Sequence, residues 1–565
     1  MKNNLYKSVV TCLLGAGMTT LNSCTDLSET IYSEIAEEKY QFTENDNKGL
    51  FAPVYASLRT FYWSWFDYGT LEACTDLWCV PNRIGVGWGG AYNDLSKHSF
   101  HSSVKFFDVL WTQGYAGVNA CNKLLDKKDE LLLTSKQEGE LRAYRAFYYY
   151  LLFDLFRNIP LDTTYQHEEG WQPTQATPQQ VWDFIISELE AVKEQVGTDA
   201  EEGRRGQLNK YGICMILAKM YLNHNTWFND DSDNSYYQKC IDELNIILQE
   251  KGSSYDLASS YADNFKEDLT TAKEIIFGIP YAEPYVSGNY FASFWMNKAG
   301  TVTWGFSGWA TGGGAALNQF LDTYERKDGK IIDKRFDLSW IGGPQVDMDG
   351  NQIMDGEKPL NYTYKIRSLE NPGCYPMEGY RLQKYEIISG DWGTLYDDIP
   401  FFRLADAMLM KAECLLRLGG YNGETEQTAA DLVTEVRRRA FDDAADAVRT
   451  VAELKGPSVY CYGHYENTAK IDEPDKIRDE RTPDTDIELG GLLDELGWEF
   501  LAEHHRRQDL IRFRLNSSGG KQNVFNGKSW FCKDAISGNN RDHDIFPIPK
   551  SIMSGNIKLK QNPGY

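Results

Sequence analysis

Between about residues 104 and 250, apolar side chains recur at the spacing of an amphipathic α-helix, and clusters of Gly, Pro and Asp interrupt this pattern. The clearest segment follows Thr177, a helix-capping residue, and Pro178, which suits the first helical position. The spacing predicts helices over Val104–Lys128, Lys136–Phe156, Pro178–Gln195, Asn209–Asn223 and Tyr236–Gln249. Alanines are expected where these helices cross, at Ala116, Ala120, Ala143, Ala146 and Ala218. Successive helix pairs indicate a mainly α, tetratricopeptide-like array.

The character of the chain changes between about residues 253 and 398. Helical spacing gives way to Gly, Trp, Tyr and Asn, with short strand-like pieces such as EIIFGIP, and it returns near residue 400. We therefore predict a helical scaffold over about 36–250 and 400–515, a large loop-rich insert with short strands over about 253–398, and a terminal segment over 545–565. Because loops on a rigid scaffold commonly carry function, the insert is the expected place for a binding site.

The first 23 residues have the pattern of a secretion signal. Lys2 and Lys7 precede a short apolar run, which ends in the sequence LNSC at Cys24. This ending resembles a bacterial lipobox, in which the cysteine becomes the lipidated first residue of the mature chain. Two acyl signals suffice for stable anchoring, and no later apolar run approaches the length of a membrane span. We therefore expect residues 24–565 to form a body that meets the membrane only through a lipid on Cys24.

Charge and aromatic content limit the classes of partner. The chain has 58 Lys and Arg against 82 Asp and Glu, a net charge of −24, which repels phosphate backbones and anionic lipid headgroups. Nucleic acid is therefore excluded as an expected partner. Aromatic residues make up 13% of the chain, with 34 Tyr and 15 Trp, more than a core alone requires. Some of them are expected to face a ligand or a partner.

Cysteines and acidic residues raise two further possibilities. Cys74 and Cys79 are close enough to form a disulfide in an oxidising compartment, or they are unpaired small apolar residues, since their spacing fits neither a zinc nor a redox motif. The segment NDDSDNSYYQ places Asp231 and Asp233 at alternate positions, like the start of a calcium loop. It lacks the glycine and the bidentate Glu of that motif, so a solvated helix connection is the favoured interpretation. No cofactor is predicted.

Four segments resemble those of one known family. They are ELRAYRAFYYYLLFDLFRNIPL, YRLQKYE followed by DIPFFRLADAMLMKAECLLRLGG, WEFLAEHHRRQDLIRF, and the terminal FPIPKSIMSGNIKLKQNPGY, which ends in QNPGY. With the lipobox, they follow the order of the SusD/RagB family of Bacteroidetes surface lipoproteins, from Cys24 to Tyr565. His504 stands where the family usually has glycine, and Arg507 and Gln508 stand where aromatic residues are common.

The resemblance implies a SusD-like fold with four tetratricopeptide-like helix pairs, anchored in the outer membrane and facing the cell exterior. It further implies that the helical array associates with a SusC-like TonB-dependent transporter, and that a shallow glycan site lies on the opposite face. The expected ligand is an oligosaccharide or polysaccharide, which the protein delivers to the transporter. A peptide ligand, as in the RagB branch, is the alternative.

The segment RIGVGWGGAYND contains the spacing G-x-G-x-x-G, but Trp88 inside it and Pro81 before it do not suit a dinucleotide turn. The glycines instead favour a loop that presents an indole, against which the C–H face of a sugar ring packs. Polar side chains at the rim would then bind hydroxyl groups. The predicted binding residues are Trp88, Tyr92, Asn93, Arg83, Asp76 and Trp78. The alternative is that Trp88 fills the core of the fold.

A second aromatic cluster, NYFASFWMNKAGTVTWGFSGWATGGG, again places aromatic residues among Gly, Ser and Thr. Members of the resembled family bring the second half of the binding platform from this region. The candidates are Tyr290, Trp295, Trp304 and Trp309, with Trp304 and Trp309 favoured. Packing in the core is the alternative, since such a run also suits a buried loop.

No catalytic motif is found, and the eight histidines are dispersed. Glu499, Glu503, Arg506, Asp509 and Arg512 repeat at helical spacing, which favours ion pairs to neighbouring helices over acid–base catalysis. The sequence therefore predicts a binding protein rather than an enzyme. A glycosidase is the less favoured alternative, because paired carboxylates in the insert would leave no local sequence pattern.

Overall fold

The computed structural model describes residues 47–62, 67–85, 90–230, 232–281, 288–305, 312–367, 369, 373–390, 395–462, 485–530 and 541–565. Cys24 and the preceding signal lie outside these ranges. Within the described ranges, none of the helices has the length and apolar character that a bilayer-spanning segment needs. Cys74 and Cys79 are both buried free thiols, so the possible disulfide between them is not formed.

The described chain is mainly helical. The helices are α1 Asn47–Leu50, α2 Ala52–Tyr62, α3 Tyr68–Leu71, α4 Ala91–Ser96, α5 Lys105–Asp126, α6 Ser135–Phe156, α7 Pro178–Val192, α8 Ala200–Arg204, α9 Lys210–Phe228, α10 Ser235–Glu250, α11 Phe291–Trp295, α12 Asn318–Leu321, α13 Arg335–Ser339, α14 Leu404–Leu418, α15 Glu426–Arg437, α16 Val451–Leu454, α17 Gly490–Glu499, α18 Arg506–Arg512, α19 Val524–Gly527 and α20 Lys550–Gly555. The five long helices predicted between residues 104 and 250 are confirmed as α5, α6, α7, α9 and α10.

Local sequence explains where these helices begin and end. Thr177 caps α7 as predicted, because its hydroxyl accepts a hydrogen bond from the amide of Gln180 while the Gln180 side chain accepts one from the amide of Thr177. The largest difference from prediction is at α9, which continues to Phe228 rather than ending at Asn223. It stops where Asn229 adopts a left-handed conformation with φ of 53°.

Neighbouring helices pack in sequence order: α5 lies against α6, α6 against α7, α9 against α10, and α14 against α15. Glycines, rather than the predicted alanines of α5, allow the crossing of α5 and α6. A Cβ on Gly117 would lie 2.3 Å from the Tyr148 ring, and one on Gly114 would lie 2.7 Å from Leu152. Ala116 faces solvent instead, because it lies on the opposite side of the helix from this contact.

The strands are short and form two-stranded antiparallel sheets. They are β1 Trp78–Cys79, β2 Ile275–Ile279, β3 Ala315–Ala316, β4 Arg326–Lys327, β5 Lys330–Ile331, β6 Trp340–Ile341, β7 Gly343–Pro344, β8 Met354–Asp355, β9 Lys358–Pro359, β10 Asn361–Tyr362, β11 Arg381–Leu382 and β12 Ile399–Arg403. The pairs are β1 with β3, β2 with β12, β4 with β5, β6 with β11, β7 with β10, and β8 with β9. The predicted strand in EIIFGIP is β2, and its partner β12 leads directly into α14.

The insert shares its core with the helices. Phe277 of β2 and Phe402 of β12 belong to the same cluster of buried apolar side chains as Phe147 of α6. Their rings are in contact, with centroids 5.8 Å apart for Phe147 and Phe277 and 6.3 Å apart for Phe147 and Phe402. The helical array therefore fixes the position of the insert by direct packing.

The helical pattern near residue 500 forms two helices, α17 and α18, separated by residues 500–505. Ala502 and His504 have φ of 58° and 67°, and a right-handed helix cannot pass through left-handed residues. This conformation explains the glycine that the family usually has at the position of His504. The His504 ring is buried, and its centroid lies 4.5 Å from that of Tyr62 in an edge-to-face contact.

The charged residues of α17 and α18 form buried ion pairs, as predicted. Arg403 lies 3.0 Å from Glu499, 2.5 Å from Glu274 and 2.6 Å from Glu503. Burial alone would raise the pKa of Glu499, but the guanidinium groups of Arg439, Arg403 and Arg335 outweigh it and hold that pKa well below its ordinary range. These carboxylates therefore serve as ionised structural partners.

The terminal segment 545–565 packs on the helical body. Phe546 stacks on Phe107 of α5 with centroids 4.6 Å apart. The Asn562 side chain donates hydrogen bonds to the carbonyl oxygens of Phe156, at 2.8 Å, and Phe546, at 2.7 Å. The terminal segment that resembles the family therefore packs against α5 and the end of α6.

Candidate functional site

The two aromatic segments singled out in the sequence meet in the fold. Strand β1 pairs with β3, so that Trp78 lies opposite Ala316. The rings of Trp78 and Trp295 are in edge-to-face contact, with centroids 4.9 Å apart. The segment near residue 80 and the segment near residue 300 are therefore adjacent in the fold.

Arg83 holds the ends of both segments together. Its guanidinium donates hydrogen bonds to the carbonyl oxygens of Glu378 at 2.6 Å, Tyr375 at 3.1 Å, Gly314 at 3.2 Å and Gly313 at 3.3 Å. The side chain is only 1% exposed. The prediction that Arg83 binds a ligand at the rim is therefore wrong, because the side chain is buried and carbonyl groups of the protein accept hydrogen bonds from both of its Nη groups.

Trp78, Trp295 and Tyr92 are core residues, which corrects their prediction as sugar platforms. Their exposed fractions are 1%, 0% and 1%. Trp295 packs so closely that a Cβ on Gly314 would lie 2.5 Å from its ring. Bulky planar side chains next to glycines fill the space that the glycines leave, and this close packing buries the rings.

The indole of Trp78 is also tied by its nitrogen. Nε1 donates a hydrogen bond to Glu72 Oε2 at 3.0 Å. Burial raises the pKa of Glu72 to about 7, although this hydrogen bond opposes the rise. Both polar atoms are thus satisfied inside the protein, which leaves the indole of Trp78 with no role at the surface.

Asp76 is a structural anchor rather than a sugar ligand. The side chain is fully buried. Oδ1 and Oδ2 each accept a hydrogen bond from Arg506, at 2.7 Å for both, and Oδ2 accepts a third from the Tyr462 hydroxyl at 2.6 Å. The carboxylate therefore has no face open to a ligand, and the earlier expectation for Asp76 is wrong.

Asn93 and Tyr290 are less completely enclosed by such contacts. Asn93 lies in α4 and is 7% exposed, and its Oδ1 has no hydrogen-bond partner among the residues that the structure describes. Tyr290 is partly exposed and follows Asn289, whose backbone exchanges two hydrogen bonds with Leu395 at 2.7 and 2.9 Å. Both residues stay on the list of candidates for ligand contact.

Trp304 is the candidate with an accessible ring. It ends the 3₁₀ turn Gly300–Trp304, which Gly305 terminates with φ of 62°. Its carbonyl accepts a hydrogen bond from the amide of Gly390 at 3.1 Å. Trp304 is half-buried and packs against Leu395, as does Ile387, so this packing holds the residue in place while part of it remains exposed.

Neighbours of Trp304 widen this apolar edge. Val302 is 46% exposed and Met348 is 63% exposed. A Cβ on Gly305 would lie 2.7 Å from Met348 Sδ, so the β7–β8 segment reaches the Trp304 turn. Nothing in the sequence singled out Met348, Ile387 or Leu395, because none of them belongs to a long apolar pattern.

Trp88 and Trp309 lie outside the described residues. The described chain ends at Gly85 and resumes at Gly90 on either side of Trp88, and it ends at Gly305 and resumes at Gly312 on either side of Trp309. Gly313, the second residue after the chain resumes, accepts a hydrogen bond at its carbonyl oxygen from the guanidinium of Arg83. We define the loop face as Asn93, Tyr290, Val302, Trp304 and Met348, together with these four flanking glycines.

The structure describes only part of the possible calcium loop, since Asp231 lies outside it. Asp233 accepts a hydrogen bond at Oδ1 from the amide of Ser235 at 2.9 Å, at the start of α10. Across the described ranges, no group of three or more His, Cys, Asp and Glu side chains could hold a metal ion. The described part of this segment therefore acts as a helix connection.

Comparison with known proteins shows which family the chain resembles. The model of the SusD family matches residues 250–565, more than half of the chain, and a model described as "Starch-binding associating with outer membrane" matches residues 87–222. The starch-binding protein SusD of Bacteroides thetaiotaomicron is 23% identical over 562 aligned residues, which cover 89% of this chain and 86% of that protein.

Solved structures have the same fold. A SusD superfamily protein from Parabacteroides distasonis superposes with a TM-score of 0.65 at 19% identity, covering 93% of this chain and all of that one. A laminarin-binding SusD-like protein superposes with a TM-score of 0.62 at 19% identity, again covering 93% of this chain and all of the other. The fold and the long family match agree with the motifs at residues 140–161, 399–419 and 545–565. The chain belongs to the SusD family, a family of non-catalytic binding proteins.

Proposed function

We propose that the protein captures an oligosaccharide or polysaccharide on its loop face and delivers it to a SusC-like TonB-dependent transporter in the outer membrane. The observation that carries the proposal is Trp304, a half-buried tryptophan that packs against Leu395 and remains partly exposed. The starch-binding and laminarin-binding relatives support a glycan as the ligand class.

The chemistry of the loop face suits a sugar ring. The C–H groups of a pyranose or furanose pack on an indole while its hydroxyl groups keep hydrogen bonds to water or to polar side chains. Trp304 supplies the described part of this platform, and we propose that Trp88, Trp309 and Tyr290 complete it. Asn93 is the proposed hydrogen-bonding partner. Desolvation of sugar hydroxyls offsets much of the contact energy, so binding is weak enough to allow release into a transporter.

The location of the protein follows from its first residues. We propose that Cys24 carries the lipid anchor and that the body faces the cell exterior. In cells of the source organism, Cys24→Ala should release the protein from the membrane fraction and abolish uptake of a fluorescent oligosaccharide. Full retention of the variant in the outer membrane would reject the anchor.

The ligand proposal is tested on the soluble form that begins after Cys24. A glycan array identifies a ligand, and affinity electrophoresis in gels of that polysaccharide then compares variants. Trp88→Ala, Trp304→Ala and Trp309→Ala should each raise the dissociation constant by about tenfold, which corresponds to ~1.4 kcal/mol. Val448→Ala is the control, since Val448 is 48% exposed and does not belong to the loop face.

Three outcomes would decide against the proposal. Unchanged retention of all three tryptophan variants on a proven ligand would reject the platform. Binding of peptides but of no glycan would favour the RagB-like alternative. Release of new reducing ends from the bound polysaccharide would identify a glycosidase.

A further inference from the structure

A second cleft lies on the helical body, formed by residues distinct from those of the loop face. Helix α5 forms its floor, the connection after α6 forms one wall, and α20 with the residues after it forms the other. Its volume is about 360 Å³, within the range of small-molecule sites in proteins. Its lining includes aromatic rings and polar side chains, among them Trp111, Tyr115, Asp162, Trp171, Ser551 and Asn556.

Trp171 forms an exposed wall of this cleft. It is 44% exposed, the largest value among the tryptophans whose burial the structure describes. The imidazole of His167 stacks on it, with ring centroids 3.5 Å apart and planes 3° apart. His167 Nε2 lies 2.7 Å from Asp162 Oδ2. The indole is therefore braced on one side by a side chain that is itself anchored, which lowers the entropy cost of stacking a ligand.

Asp162 is a polar residue of the same cleft, and hydrogen bonds hold it in place. Its Oδ1 accepts a hydrogen bond from the amide of Thr164 at 3.0 Å. Its backbone carbonyl accepts hydrogen bonds from the Tyr149 hydroxyl at 2.6 Å and from Asn122 Nδ2 at 3.1 Å. The carboxylate and the indole of Trp171 thus keep a constant geometry, with a flat apolar face beside a strong hydrogen-bond acceptor.

The backbone edges of the cleft are already engaged. The carbonyl of Pro160 accepts from the Tyr115 hydroxyl at 2.7 Å, and that of Pro173 accepts from Asn556 Nδ2 at 2.8 Å. The carbonyl of Gly555 accepts from Gln172 Nε2 at 2.9 Å. Each of these carbonyl groups already accepts one hydrogen bond, which leaves fewer backbone acceptors for a peptide that binds by adding a strand.

The residues that line the cleft favour one of the remaining classes of ligand over the others. A wholly apolar ligand would strip water from the Asp162 carboxylate without replacing its hydrogen bonds, which is costly. An anionic ligand would meet that carboxylate and the chain's net charge of −24. A neutral sugar fits both parts of the lining, because its C–H face packs on Trp171 and its hydroxyl groups donate to Asp162.

We propose that this cleft is a second carbohydrate site, which holds a ring of a neutral oligosaccharide against Trp171 with a hydroxyl group bonded to Asp162. The proposal shares its ligand class with the proposed function but none of its residues. A protein with two such sites, one on the loop face and one on the helical body, engages two points of a polysaccharide and gains avidity from the second contact.

The test uses the soluble chain labelled with 5-fluorotryptophan, observed by ¹⁹F NMR. The resonance that is absent from Trp171→Phe is assigned to Trp171. The probes are maltoheptaose, laminarihexaose and, as a peptide control, tetraalanine. We expect the Trp171 resonance to shift with at least one sugar and not with tetraalanine. We expect the same shift in Trp304→Ala, because the loop face does not contribute to this site.

Calorimetry in the Trp304→Ala background, in which binding at the loop face is weakened about tenfold, then measures the contribution of the cleft. Changing Trp171 to Ala should weaken binding of that sugar by about tenfold, and Trp171→Phe should weaken it less, because a flat ring remains. If neither sugar moves the Trp171 resonance, or if tetraalanine moves it instead, the proposal is wrong. Sugar binding that is lost in Trp304→Ala but unaffected by Trp171→Ala would overturn the second site and leave the proposed function standing.

Discussion

Arg506 holds the carboxylate of Asp76 through two parallel hydrogen bonds, Nε to Oδ1 and Nη2 to Oδ2, both 2.7 Å long. The two residues are far apart in the sequence and both are buried. This geometry is the strong bidentate form of an ion pair. It joins the segment before β1 to helix α18.

Asp76→Ala should therefore destabilise the protein by about 3–5 kcal/mol, since it leaves the Arg506 guanidinium buried without its partner. Urea unfolding measures the change. Asp94→Ala is the control, because Asp94 is partly exposed and its carboxylate contacts two exposed partners, His101 and the Ser99 hydroxyl; it should cost less than about 0.5 kcal/mol. Glycan affinity of the folded Asp76→Ala protein should be unchanged; a selective loss of affinity without loss of stability would restore Asp76 as a ligand.

Glu413 makes the stability dependent on pH in the acid range. Arg512 donates to both of its oxygens, at 2.7 and 2.8 Å, and Arg417 donates at 2.9 Å. Burial alone would raise the pKa of Glu413, but the two guanidinium groups lower it from 4.5 to about 2. The unfolded chain therefore binds the proton more readily, and the stabilisation is present above pH 4.5 and lost as the pH falls toward 2.

The matching variant is Glu413→Gln, which keeps the shape and removes the charge. Its free energy of unfolding should be clearly below that of the parent at neutral pH, and the difference should shrink as the pH falls below 4.5. Urea titrations over this range provide the measurement. A difference that stays constant with pH would show that Glu413 contributes packing but no charge effect.

At position 504 we expect glycine to give a more stable protein than alanine, which is the reverse of the usual order. Its φ of 67° is left-handed, a conformation that costs a residue with a Cβ about 1–2 kcal/mol and costs glycine little. Both His504→Ala and His504→Gly lose the ring that contacts Tyr62, so both should be less stable than the parent. His504→Gly should nevertheless be the more stable of the two by about 1 kcal/mol. Thermal unfolding of the pair checks this order, and an alanine variant as stable as the glycine variant would contradict it.

Gly117 tests the crossing of α5 and α6. An added methyl group would lie 2.3 Å from the Tyr148 ring, so Gly117→Ala should destabilise the protein by about 1–3 kcal/mol despite the higher helix propensity of alanine. Gly49→Ala is the matched control, because no atom lies within 4 Å of its Cβ position in α1. It should leave the stability unchanged or raise it. Equal effects of the two changes would mean that the helices separate readily at this crossing.

Local patterns predicted the parts of this protein that local physics determines. The helices α5, α6, α7, α9 and α10 follow from apolar spacing and from caps such as Thr177, since a helix closes its hydrogen bonds over four residues. The resemblance at residues 140–161 and 545–565 predicted the family. The glycine crossing at Gly117 was missed, because the sequence does not show which side of a helix meets its neighbour.

The binding residues were harder to predict, because the same type of side chain is buried at one position and exposed at another. Trp295 and Trp304 occur in the same Gly-rich stretch, yet the first is fully buried and the second is partly exposed. Arg83 and Asp76 looked like polar rim residues, but their partners lie in distant parts of the chain. One sequence feature could have indicated Trp171: it is a large aromatic residue in the polar connection TTYQHEEGWQPTQATP.

The sequence by itself determined the helical scaffold, the family and the acidic character of the protein, because periodicity, motifs and charge are properties of neighbouring residues. Only the tertiary structure decided which aromatic rings and charged groups remain accessible. Burial depends on contacts such as those of Asp76 with Arg506 and of Arg83 with Glu378, which join residues hundreds of positions apart. No local pattern encodes such contacts, since they exist only after the chain has packed.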